Sequence, residues 1–214
     1  MSRALKKSHR PEIPRKTIYR LSVYLRCLQR LKANDIQTVS SEGLAKVAGV
    51  KPTQLRKDLT YFGQFGTRGL GYEVQQLTHM ITDLLGTSCL QPVVLVGVGN
   101  LGTALLSYRG FQEEGFAVAA AFDAEAHRFR DRKLPAPVYG MEKLAEIVQE
   151  HHIKMAIITV PATAAQEVAN NLVSAGITGI LNFAPIVIVV PEDVMVSNVN
   201  LAIELENLSY FIHG

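Results

Sequence analysis

A chain of 214 residues, 48% hydrophobic and 19% charged, can build real cores as one large domain or two small ones, which excludes a largely disordered protein. Two cysteines with no CxxC exclude a disulfide scaffold and a zinc site, and no apolar run approaches the roughly 18–20 residues of a membrane span. The net charge of +3 hides a split: residues 1–70 hold 15 Lys+Arg against 4 Asp+Glu, and residues 71–214 hold 7 against 15, so one end is suited to a polyanion and the other to something else.

Residues 1–13 are basic, lack an apolar period and read as a flexible arm. With no apolar h-region there they are not a secretory signal, so a soluble, cytoplasmic protein is expected. After Pro14, the positions Ile18, Leu21, Leu25, Leu28 and Leu31 share one helical face, ended by Asn34-Asp35. A second short helix has Ser40 or Ser41 as N-cap, apolar positions Leu44, Val47 and Ala48, and Gly49 beyond its end. A third runs from Pro52-Thr53 to Phe62. Two short helices joined around a glycine predict a helix-turn-helix, with Ala45 small at their approach and Leu55 pointing back to the core. In the third helix Leu55, Leu59 and Phe62 form the buried stripe, and Thr53, Gln54, Arg56, Lys57 and Thr60 face outward. Guanidinium and amide groups suit base edges, and ammonium and hydroxyl groups suit phosphates. Lys51, Arg15 and Lys16 join Thr53, Gln54, Arg56 and Lys57 as candidate DNA contacts. Gly63 to Tyr72 carries four glycines and predicts a small β-hairpin wing, with Arg68 near its tip positioned for a minor groove. Val74, Leu77, Ile81 and Leu84 predict one more helix, ended by Gly86. Residues 14–85 therefore read as a winged-helix DNA-binding domain and 86–91 as a linker.

Pro92-Val93-Val94-Leu95-Val96 reads as a buried strand of a parallel sheet. It runs into Gly97-Val98-Gly99-Asn100-Leu101-Gly102, the dinucleotide-binding pattern: a tight turn, a close approach for pyrophosphate, and close helix packing. Ala117–Phe122 is a second strand ending in Asp123, 21 residues after Gly102, where an acid binds the adenosine ribose hydroxyls. A carboxylate there repels a 2′-phosphate, so NAD+ and NADH are favoured over their phosphorylated forms. A helix over 141–152, a strand over 155–160, a helix over 163–175, a strand over 179–183 and a further strand over 186–190 continue the rhythm of a doubly wound Rossmann-type sheet over 92–196. Ligands sit at the carboxyl ends of such strands, which adds Thr159, Pro161, Asn182 and Ala184 to the cofactor-binding candidates. A last helix over 199–212 carries the apolar stripe Leu201, Leu205, Leu208 and Ile212, for its own domain or a partner subunit.

Five segments together resemble the Rex family of redox-sensing transcriptional repressors: Gln54-Leu55-Arg56-Lys57-Asp58-Leu59, the stretch from Tyr61-Phe62-Gly63 to Gly69, the glycine loop, Ile180 to Pro185, and Leu208-Ser209. The resemblance covers nearly all of residues 14–212. It implies an α/β protein with a winged helix and a Rossmann domain, acting as a homodimer that exchanges the C-terminal helix of residues 197–214. It also implies an AT-rich palindromic operator in double-stranded DNA, released when NADH binds. By that likeness Arg56 and Lys57 match recognition-helix residues, Arg68 the wing arginine, and Tyr108 a tyrosine close to the nicotinamide. The family commonly has Asp in an Asn-Val-Asp-Leu stretch where this chain has Asn200. An ion pair of that acid with a first-helix arginine, for which Arg26 is the candidate, is absent here.

Two other readings compete. An NAD-dependent dehydrogenase needs a proton-exchanging group. Tyr139 and Lys143 have the Tyr-x-x-x-Lys spacing of short-chain dehydrogenases, but only 37 residues beyond Gly102 and just after Pro135-Ala136-Pro137. A DNA-binding regulator with a structural nucleotide or a CoA-like ligand is the other, and Asp123 argues against it.

Overall fold

The computed structural model describes residues 13–66 and 70–213, and the chain divides into two compact units, Met1–Cys89 and Leu90–Gly214. The first contains α1 (Arg15–Ala33), β1 (Thr38–Val39), α2 (Ser41–Val47), α3 (Pro52–Thr60), β2 (Tyr72–Glu73) and α4 (Val74–Leu85). The Ser40 side chain caps α2 by accepting from the Gly43 N–H at 2.9 Å. The helix closes where the Gly49 N–H donates to Lys46 O and the Val50 N–H to Ala45 O. That pair of bonds requires the positive φ of Gly49, +68°. Pro52 then opens α3, so α2 and α3 form the helix-turn-helix.

The core of this unit is built on Leu21, Tyr24, Leu28, Leu44, Leu55 and Ile81, all fully buried. Three expected core positions, Ile18, Val47 and Leu84, are instead exposed. The buried face of α1 runs through Thr17, Leu21, Tyr24 and Leu28, a three-and-four spacing that includes two polar side chains hydropathy passes over. The tip of the expected hairpin lies outside the described residues. Among the described residues Tyr72 and Glu73 pair antiparallel with Val39 and Thr38, not with the segment just before them. Gly63, Gly66 and Gly71 all take positive φ. Arg68, and residues 1–12 of the arm, lie outside the described residues.

The second unit is a six-stranded parallel sheet: β3 (Gln91–Val96), β4 (Phe116–Phe122), β5 (Val138–Tyr139), β6 (Met155–Ile158), β7 (Gly179–Asn182) and β8 (Met195–Asn198). Its order is β5-β4-β3-β6-β7-β8, which is the doubly wound dinucleotide-binding order with the reversal between β3 and β6. Helices α5 (Asn100–Leu106), α6 (Gly110–Glu113), α7 (Leu144–Glu150) and α8 (Ala162–Ala175) connect these strands. Val94, Val96, Phe122, Ile158, Ala169 and Leu172 lie in one core, and Val93, Leu95, Ala121 and Ile157 in another, so the sheet is buried on both faces.

The sixth strand is not the apolar run 186–190, whose Val187 and Val189 are exposed, but the more polar Met195–Asn198. An edge strand pairs on one side only, so it needs no continuous apolar run. The first strand begins one residue earlier than expected, at Gln91, whose N–H donates to Gly115 O at 2.8 Å. The last helix, α9 (Leu201–His213), buries no side chain against its own chain. Asn200 caps it, its Oδ1 accepting from the Ala202 N–H at 3.0 Å and the Ile203 N–H at 3.4 Å. Asparagine caps as well as aspartate, so the departure at this position removes a charge and keeps the helix start.

Candidate functional site

The crevice between the ends of β3 and β6 is the first site. Gly97 has φ +99°, and a Cβ there would lie 2.8 Å from Val160 Cγ1. A Cβ on Gly102 would lie 1.9 Å from Gly97 O. Both glycines are demanded by the protein's own packing. Gly99 is different: its φ is −71°, open to any residue, and a Cβ would meet nothing within 4 Å. The loop leaves open space in front of Gly99, as a dinucleotide's pyrophosphate requires for close approach to the backbone. The Thr159 hydroxyl donates to Gly97 O at 2.6 Å and ties the two strand ends together.

Asp123, at the end of β4, meets the same loop. Its Oδ2 accepts from the Val98 N–H at 2.7 Å and its Oδ1 from the Glu125 N–H at 2.9 Å. The carboxylate is thereby fixed beside the glycine turn with lone pairs left for hydroxyl donors. Asn100 and Leu101 are exposed at the head of α5, and Pro161 is exposed at the head of α8. Tyr108, just past α5, is exposed and stands edge-on to Phe111 with ring centroids 5.2 Å apart. Its phenol lies over Gly110, where a Cβ would come within 2.5 Å of the Tyr108 hydroxyl.

Asn182 and Ala184 lie inside the turn that follows β7. Asn182 is fully buried; its Nδ2 donates to Ile186 O and Asn198 Oδ1, both at 2.9 Å, and its Oδ1 accepts from the Ala184 N–H. Ala184 is buried as well. These residues brace the turn after β7 and its neighbour β8 from inside. Tyr139 lies on β5, while Lys143 donates to Glu146 at 2.8 Å, so the two share no helical face. Among the described residues no cluster of His, Cys, Asp and Glu could hold a metal ion.

The second site is the outer face of α3. Lys51, Thr53, Arg56 and Lys57 are exposed there, and Arg56 Nη1 donates to Ser41 Oγ at 2.8 Å, leaning across onto α2. Arg15 and Lys16 are exposed at the start of α1. Gln54 is only half exposed, because its Nε2 donates to Asp58 Oδ1 at 2.9 Å.

Asp58, the one acid of α3, is fully buried beneath this face. It accepts from Arg20 Nε at 2.5 Å, Arg20 Nη2 at 2.6 Å, the Tyr24 hydroxyl at 2.8 Å and the Thr17 hydroxyl at 3.2 Å. Burial works against the carboxylate, but the hydrogen bonds of Arg20, Tyr24 and Gln54 and the Arg20 charge outweigh it and hold Asp58 below the usual carboxylate range. Burial and the bond to Asp58 push the Tyr24 hydroxyl up, so it stays a donor. Sequence reasoning missed this network. Its trace was the spacing of Thr17, Arg20 and Tyr24 along one face of α1.

Residues 12–60 match a family described as putative DNA-binding protein N-terminus, and residues 90–186 one described as CoA binding domain. A redox-sensing transcriptional repressor Rex from Pelotomaculum thermopropionicum is 46% identical over 199 residues, 93% of each chain. The crystal structure of RSP in complex with beta-NAD+ and operator DNA superposes with a TM-score of 0.87 at 36% identity, covering 94% of this chain and 92% of that one. RSP in complex with beta-NADH gives 0.83 at 34% identity, covering 94% of each.

Proposed function

Since this chain belongs to the Rex family of redox-sensing transcriptional repressors, we propose that it represses transcription as a homodimer on a palindromic AT-rich operator, and that NADH releases it. The observation that carries this reading is one chain holding both a helix-turn-helix with a basic outer face and a glycine loop closed by Asp123.

Gly97, Val98, Gly99, Asn100, Leu101 and Gly102 would hold the pyrophosphate, and Asp123 the adenosine ribose. Thr159, Pro161 and Tyr108 would border the nicotinamide half. That ring, when bound, supplies the difference between a charged oxidised form and a neutral reduced one, and the residues around it need only bind the two unequally. On the DNA side Arg56 and Gln54 meet base edges, and Lys51, Thr53, Lys57, Arg15 and Lys16 meet phosphates. Dimerisation fixes the spacing of two recognition helices against two half-sites. NADH must then bind the DNA-free dimer better than the DNA-bound one, and operator must weaken NADH by the same factor. The protein is not an enzyme in this reading: the dehydrogenase-like Tyr139 and Lys143 share no helical face. It acts in the cytoplasm, beside the DNA.

The family likeness of residues 90–186 favours CoA as the second reading. Its 3′-phosphate would meet the Asp123 carboxylate, a repulsion the NADH ribose avoids. Fluorescence anisotropy of a labelled AT-rich palindrome, titrated separately with NADH, NAD+ and CoA, tests both. Release by NADH where NAD+ and CoA do little is expected; DNA binding indifferent to all three overturns redox sensing.

A further inference from the structure

Ser41 is the first residue of α2, Arg56 is an exposed residue of α3, and Arg56 Nη1 donates to Ser41 Oγ at 2.8 Å. Both ends of this bond stand on fixed backbone. Ser40 caps α2 through the Gly43 N–H, and Leu44 and Ala45 of α2 share a core with Leu55 of α3, all three fully buried. Ser41 is half-buried on that frame, so its hydroxyl is a stationary acceptor. A long exposed arginine without such an acceptor keeps much rotamer freedom and surrenders it on meeting a ligand. The bond engages Nη1 alone. The Nε and Nη2 nitrogens, the pair by which Arg20 grips Asp58, make a separate fork of two N–H donors to which Nη1 does not belong. Among the described residues the Arg56 guanidinium makes no other hydrogen bond.

Resting on the reading of α3 as the recognition helix, we propose that Ser41 is a positioning residue for base reading: it holds Arg56 by one nitrogen before DNA arrives and keeps that bond in the complex, while the Nε–Nη2 fork is spared for guanine O6 and N7. Guanine needs two N–H donors side by side, which the fork supplies. Ser41 strengthens the complex without a contact of its own to the base. A guanidinium already ordered in the free protein loses less freedom on binding. The gain falls on the base pair that Arg56 reads, so Ser41 sharpens one preference and leaves the general attraction to phosphates as it is. The N-cap of α2 belongs to Ser40, so removing the Ser41 hydroxyl leaves the helix start intact.

The test uses the full-length protein on AT-rich palindromic duplexes in which each position is replaced in turn in both half-sites. Wild type is compared with Ser41→Ala, Arg56→Ala and the double variant, each checked for fold by circular dichroism and thermal melting. Ordering one long side chain is worth about twofold to tenfold, so Ser41→Ala should weaken binding by that factor per half-site, roughly fourfold to a hundredfold on the palindrome. It should flatten the preference at the same guanine–cytosine pair as Arg56→Ala does, and cost nothing further in the Arg56→Ala background. Ser41→Gly, which also lacks the hydroxyl, should repeat this result, and Ser41→Thr, which keeps it, should restore most of the affinity. An equal loss in both backgrounds would show Ser41 acting on DNA directly. Wild-type or tighter binding by Ser41→Ala would show a resting contact that DNA breaks. Either result overturns the proposal, as does a loss spread evenly over every duplex. An Arg56→Ala protein with wild-type preferences at every position also sinks it, and leaves the other residues of α3 to carry the recognition-helix reading. If wild type binds none of the duplexes, that reading fails and this proposal with it.

Discussion

Gly99 and Gly102 belong to one motif and answer to different demands. A side chain at Gly102 collides with the backbone of Gly97, whereas one at Gly99 enters open space. Gly102→Ala is expected to destabilise the Leu90–Gly214 unit by about 1–3 kcal/mol, the usual cost of overpacking, visible as a lower Tm. Gly99→Val should leave Tm within a degree or two of wild type and still weaken NADH at least tenfold in isothermal titration calorimetry; equal loss of stability in both variants would mean that Gly99 serves the fold. Asp123→Ala should weaken NADH by about 1.5–3 kcal/mol, as for hydrogen bonds to a charged group, while operator binding without NADH stays intact.

Among the elements, α3 depends most on a single buried group. Removing the Asp58 charge leaves Arg20, whose side chain is 23% exposed, without its partner beneath the helix. Asp58→Asn is expected to cost about 2–4 kcal/mol in urea unfolding of the first unit, somewhat less than a fully buried pair because water reaches part of Arg20. The pH dependence has a definite sign. The folded value of Asp58 lies below the unfolded one, so its stabilisation is complete above the unfolded value of about 4 and is lost as pH falls through the folded value. Wild type should lose stability in the first unit between about pH 5 and pH 2 more steeply than Asp58→Asn does. Equal slopes would show that other carboxylates govern acid unfolding. Ser40→Ala should cost about 1 kcal/mol through the lost N-cap of α2.

At the scale of the whole molecule, two features call for partners outside the chain. The charge split leaves the first unit strongly basic, so operator binding should weaken steeply with salt, by roughly one counterion released for each phosphate neutralised. Helix α9 exposes Leu201, Ile203, Leu205, Leu208, Phe211 and Ile212, an apolar load that a monomer would leave in water. Each such side chain is worth about 1.5–3 kcal/mol when buried. A Leu205→Glu and Phe211→Glu double variant is therefore expected to sediment as a monomer and to lose operator affinity, with its nucleotide-binding unit still folded. A variant that remains dimeric would assign the interface to another surface.

Much of this was legible in residue order, because the signals are local. Apolar periodicity, a serine N-cap, Gly49 past α2 and Pro92-Val93-Val94-Leu95-Val96 running into a glycine loop all act within a few residues of themselves. The spacing from Gly102 to Asp123 carries across one βαβ unit because the unit's own geometry is regular. What escaped depends on contacts between distant segments. Tyr72-Glu73 found its strand partner at Thr38–Val39, far back in the chain. The sheet took a polar segment at its edge and left the apolar 186–190 outside, because an edge needs backbone pairing more than hydrophobicity. Asn182 turned inward to serve three neighbours. Asp58, which by residue type belongs on a surface, was drawn under α3 because α1 delivers an arginine, a tyrosine and a threonine to one point. Local sequence determined the helices of the first unit, the central strands of the sheet and the motif that the cofactor crevice carries. Only the tertiary structure decided which polar groups are buried, since a buried charge is tolerated only where partners from elsewhere in the chain arrive to satisfy it.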